Sequence, residues 1–223
     1  MNFNETAVVR SPEAVFATNK LIRNTYTLLS MTLIFSAVMA LVSMTIQVGP
    51  MAHLLSSVGA IALLWLVLPR TANSASGIGV VFAITGLLGF GLGPMLNHYM
   101  ALSNGPQLIA TAAGGTGVIF LALSGYALTT RKDFSFMGGF LMTGMIVVIV
   151  AMIANMFLAI PALSLAMSAA IVMIMSGFIL YDTSRMVNDP HANYLMMTVS
   201  LFLSILNLFV SLLHLLGALS NND

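Results

Sequence analysis

Residues 76–97 read SGIGVVFAITGLLGFGLGPMLN. Twenty-two residues without a charge are long enough to cross a hydrocarbon core at 1.5 Å per residue. Four glycines between Gly86 and Gly93, followed by Pro94, equally suit a segment that dips into the bilayer and returns. A crossing gives seven spans and termini on opposite sides. A re-entrant loop gives six.

The rest of the chain leaves no doubt that a bilayer is its solvent. Of 223 residues, 59% are apolar and 6% charged, too few to cover a water-facing surface. Further apolar stretches lie at 27–48, 51–69, 107–130, 134–158, 161–181 and 195–219. They are separated by helix-stopping chemistry: Gly49-Pro50, Pro69, Asn104-Gly105-Pro106, Arg131-Lys132-Asp133, Pro161 and Asn188-Asp189-Pro190. Residues 1–26 form a polar tail without the apolar core of a signal peptide, and 220–223 a short second tail.

Cations decide between six and seven, because Lys and Arg flanks stay on the cytoplasmic side. Arg10, Lys20 and Arg23 precede the first span, Arg70 follows the second, Arg131 and Lys132 follow the fourth, and Arg185 follows the sixth. With seven spans all seven cations share one side, and twelve of the thirteen charged residues do so, Asp223 being the exception. Six spans break the alternation. The expectation is an all-α, seven-helix transmembrane bundle with a cytoplasmic N-terminus and a periplasmic C-terminus.

Lipid gives helices no hydrophobic reason to associate, so close backbone approach should do it. Gly89-xxx-Gly93, Gly114-Gly115-Thr116-Gly117, the glycines at 138, 139 and 144, and Ser164-xxx-Ser168 are the expected seams. The 18 methionines read as adaptable filler. Trp65, Tyr26, Tyr99, Tyr181 and Tyr194 near span ends read as interfacial anchors.

Chemistry is scarce. There is no cysteine, which removes thiolate catalysis and Cys-bound metals. His53, His98, His191 and His214 are scattered, no pair has metal-ligand spacing, and no cofactor is implied. A net charge of +1 provides no field for nucleic acid. Ser124 in Leu123-Ser124-Gly125 and His214 are the one serine and histidine suggesting a hydrolytic dyad, but they differ by about 20 Å in expected depth. Asn155 and His214 share a depth and are candidates for a hydrogen bond.

Asp182 stands out just after the expected sixth span, whose 21 residues carry no charge. Arg185 sits one turn further on. The carboxylate is either a proton-sensitive latch or cation ligand at the inner mouth of the bundle, or a wet group paired with Arg185.

Four strings together resemble the Bax inhibitor family: Gly177 to Thr183 with its Tyr-Asp-Thr core, Ser200 to Phe209, Leu128 to Phe136, and Leu21 to Tyr26. The resemblance covers nearly the whole chain and implies a seven-helix bundle in the bacterial inner membrane. In calcium-leak members, two aspartates on the sixth and seventh helices share a proton and close a pore. Asp182 matches the first, while Ser204, three residues before Asn207, stands where the second would be. The resemblance therefore leaves one carboxylate, with Ser204 or Arg185 as its expected partner, and implies Ca2+ as the permeant ion if the chain is a leak channel. The bacterial branch it resembles most implies instead a non-enzymatic modulator of the FtsH protease. Residues 1–26 would be its handle, with Lys20 and Arg23 at the membrane surface.

Overall fold

A computed structural model describes residues 12–189 and 192–220; the parts of the expected tails at 1–11 and 221–223 lie outside the described residues. Seven helices are long and apolar enough to span a membrane. We label them α1 (Pro12–Thr45), α2 (Pro50–Thr71), α3 (Ser76–Met100), α4 (Gly105–Thr130), α5 (Met137–Leu158), α6 (Pro161–Asn188) and α7 (Tyr194–Ser220).

The deciding segment crosses. The start of α3 lies against Leu195 at the beginning of α7, and its far end reaches the end of α1, where the Asn97 amide donates to the Met44 carbonyl at 3.3 Å. The glycines serve contact. Gly89 and Gly93 meet Ser36 and Ser43 of α1 so closely that a Cβ at either would overlap α1 atoms. Regular helix breaks only at Leu92, just before Pro94, which has no N–H to continue the ladder. In α2 a wider π turn at Leu63–Val67 precedes Pro69 and lets the helix run on to Thr71, two residues past the expected end. Left-handed residues finish three elements: Gln47 beyond α1, Arg131 beyond α4 and Ala159 beyond α5.

Two helices differ from expectation. α1 begins at Pro12, well before residue 27, with proline in the first turn where its missing N–H costs nothing. Its buried stripe of Thr18, Leu21, Thr25, Leu28, Thr32 and Ser36 recurs at three- and four-residue spacing, while Met31, Ile34, Val38 and Leu41 face outward. Before residue 27 the exposed positions include Asn19, Lys20 and Arg23 and the buried ones Thr18 and Thr25, so an apolarity scan does not register this part of the helix. α6 runs to Asn188, seven residues past the expected end, which places Asp182 within the helix.

α7 is the axis of the bundle, packing on α6, α4, α1 and α3. α5 is outermost, leaning chiefly on α6. At one end, Asn193 donates to the Ala72 carbonyl and to Asn73, and Ser184 and Asn188 reach the Lys132 carbonyl. These bonds gather the loops after α2, α4 and α6 around the first turns of α1, so the described cations Lys20, Arg23, Arg70, Arg131, Lys132 and Arg185 share that end. The opposite end is fastened by Asn104 and Ser220 at 2.5 Å.

Candidate functional site

A patch of buried polar side chains lies just inside the cationic end, where α1, α4, α6 and α7 meet. Asp182 is 2% exposed, and its Oδ2 accepts from the Ser200 hydroxyl at 2.5 Å. The hairpin geometry accounts for this pair. Asp182 stands six residues before the end of α6 and Ser200 six residues after the start of α7, so antiparallel helices bring them level. Ser204, named from the resemblance, is buried on the same face of α7, one turn deeper. The hydroxyl that meets the carboxylate is therefore Ser200's.

Arg185 forms its ion pair elsewhere. Its guanidinium lies 3.9 Å from Asp189 and 5.7 Å from the centre of the Tyr181 ring, a half-exposed arrangement worth little in stability. Asn207 is exposed and returns its amide to the Leu203 carbonyl of its own helix. Of the four residues first grouped around a gate, the structure places Asp182 and Ser204 in the buried patch, and Arg185 and Asn207 outside it.

Thr183 is the hub that the sequence did not reveal. Its hydroxyl lies 3.4 Å from Tyr26 and 3.3 Å from Ser124, joining α6 to α1 and α4. Tyr26 is half-buried at this junction, its ring tilted against that of Phe120 with centres 6.0 Å apart. Next to it, Ser184 accepts from the Phe134 backbone N–H at 2.9 Å and fixes the loop after α4 to α6. Thr198 donates to the Tyr194 carbonyl and reaches the Thr25 carbonyl, while the buried Thr25 hydroxyl has no partner.

The remaining polar residues separate. Ser124 is engaged with Thr183, whereas His214 meets Ser168 at 2.8 Å near the opposite end. Asn155 does not bond His214: its side-chain oxygen accepts from the Ile160 N–H and closes the turn after α5. The Ser168–His214 pair was legible, since Ser168 is seven residues into α6 and His214 six from the end of α7. Among the described residues there is no group of three or more His, Asp or Glu able to hold a metal. Lys20 and Arg23 stand exposed on one face of α1, one turn apart, while Thr18, Leu21 and Thr25 bury the opposite face.

Comparison with known proteins gives a consistent result. Residues 18–221 match the family described as inhibitor of apoptosis-promoting Bax1. The chain is 47% identical to the Escherichia coli protein named modulator of FtsH protease YccA, over 94% of both chains. It is 49% identical to a membrane protein of Vibrio cholerae over 96% of both chains, and 42% identical to a Pseudomonas aeruginosa protein over 91% of this chain and 90% of that one.

Proposed function

Because the chain belongs to the Bax inhibitor family, we propose that it is a non-enzymatic modulator of the FtsH protease, slowing its attack on other membrane proteins. The observation that carries this reading is the near full-length identity to the Escherichia coli modulator. The chain is a multi-pass inner-membrane protein. Its partners are FtsH and the bilayer, and the cationic end is the cytoplasmic one, with residues 220–223 in the periplasm.

Engagement requires something for the protease to hold. The first residues of the chain serve as that handle, and Lys20 and Arg23 mark where the handle meets the membrane surface. Residues 18–26 do not serve in this way. From Thr18 onward the chain is docked, with Leu21 packed among Met186, Met197, Leu201 and Phe202. A pull on the tail therefore ends against a packed helix at Thr18, and this resistance lets a substrate-like protein occupy the protease without being consumed.

Deleting residues 1–17 while keeping Lys20 and Arg23 tests the handle. Degradation of a third membrane protein by FtsH is expected to accelerate to the rate seen without this chain. Unchanged slowing would sink the proposed handle. A cation leak has less support: the second acidic position is Ser204, and the Asp182 carboxylate is taken by Ser200.

A further inference from the structure

Between α1 and α4 the bundle is not closed. The two helices touch at the Tyr26–Phe120 ring pair near the cationic end and otherwise make no extended contact. A cavity of ≈ 590 Å³ opens there, backed by α3 and α7. Its wall is hydrocarbon, apart from the hydroxyls of Ser36 and Thr116, and Thr116 already donates to the Ala112 carbonyl. Water needs two to four polar partners to stay in such a space, so the cavity excludes it.

Along α1 the cavity runs from Leu33 to Met44, about 17 Å of helix. Its volume over that length gives a mean cross-section of about 35 Å². A helix about 10 Å wide needs roughly 80 Å² and does not fit. The space is long and narrow, the shape of one extended acyl chain.

The mouth of the cavity has a different chemistry. Met100 also lines a second, shallower pocket of ≈ 460 Å³ at the non-cationic end, which Gln47 and Asn97 line as well. Asn97 is held there by its bond to the carbonyl of Met44, itself a cavity residue. Amides can donate to the ester carbonyls of a lipid, and without a cation beside them nothing neutralises the carboxylate of a free fatty acid.

The geometry points to a phospholipid site in the leaflet away from the cations, with one acyl chain between α1 and α4 and the glycerol region at Gln47 and Asn97. Gly117 is the lever for testing it. It lines the cavity, and a Cβ built there meets nothing within 4 Å, so a leucine side chain enters the space without disturbing the backbone. Gly125, on the same helix, has equal room but lies outside the cavity.

The full chain, reconstituted with dioleoyl phosphatidylethanolamine and phosphatidylglycerol and exchanged into lipid-free detergent, should retain one phospholipid per chain by native mass spectrometry. Gly117→Leu should retain at least tenfold less and Gly125→Leu the wild-type amount, with thermal midpoints confirming that both are folded. Ala113→Leu narrows the same cavity and serves if Gly117→Leu does not fold. Loss of all lipid from the folded wild-type chain, equal retention by the cavity-filled variant, retention of a free fatty acid, or a polypeptide in place of lipid would each overturn the assignment.

Discussion

The contact between Asp182 and Ser200 is where a single side chain matters most. A buried carboxyl group that loses its hydroxyl donor has no water to replace it, which typically costs about 1–3 kcal/mol. Ser200→Ala is therefore expected to lower the thermal midpoint in detergent, whereas Ser204→Ala, one turn deeper, should change it less. Equal effects would mean that the carboxylate uses both hydroxyls. At the surface, Asp133 illustrates the opposite regime. The Ser135 backbone N–H, with help from the Ser135 side chain, holds its carboxyl below the ordinary value of 3.8 although the group is fully exposed. A depressed carboxyl contributes above its unfolded pKa and loses that contribution as pH falls through the folded one. Protection of the Ser135 amide from hydrogen exchange should thus persist at neutral pH and fade only in acid. Asp133→Asn should make it insensitive to pH over that range.

Glycines divide the helices into those that touch backbone to backbone and those that do not. Gly89 presses on the Ser36 carbonyl, while Gly114, which the sequence suggested as a seam, faces open space. Alanine is the better helix former by about 0.8–1 kcal/mol, so Gly114→Ala should be neutral or stabilising. Gly89→Ala must separate α3 from α1 and should lower the midpoint by several degrees. Small residues thus mean packing in α3, which lies between α1 and α2, and open space at Gly114 in α4. Gly115 and Gly144 meet only leucine and isoleucine side chains, and Gly138 meets the Tyr181 ring.

At the level of the whole molecule, seven crossings put every described cation at one end and fasten the other with neutral Asn104 and Ser220. Positive-inside orientation makes a testable statement for a chain that contains no cysteine. Ser103→Cys, in the loop between α3 and α4, should react with an impermeant maleimide in intact spheroplasts, and Ser135→Cys should react only after lysis. Labelling of both from outside would contradict the orientation.

The sequence alone determined the number of spans, since charge spacing is a one-dimensional signal and the cost of moving a cation across a bilayer is large. It also singled out Asp182, because an acidic residue after so long an apolar run is conspicuous without any coordinates. The early start of α1 was harder to see. Its first turns expose Asn19, Lys20 and Arg23 and bury Thr18 and Thr25, all of which hydropathy scores as polar. Only the tertiary structure decided the partners. Ser200 rather than Ser204 meets Asp182, Thr183 ties three helices together, and α1 stands away from α4. Each of these depends on the axial register and separation of helices distant in sequence, and interhelical packing fixes both where local periodicity cannot.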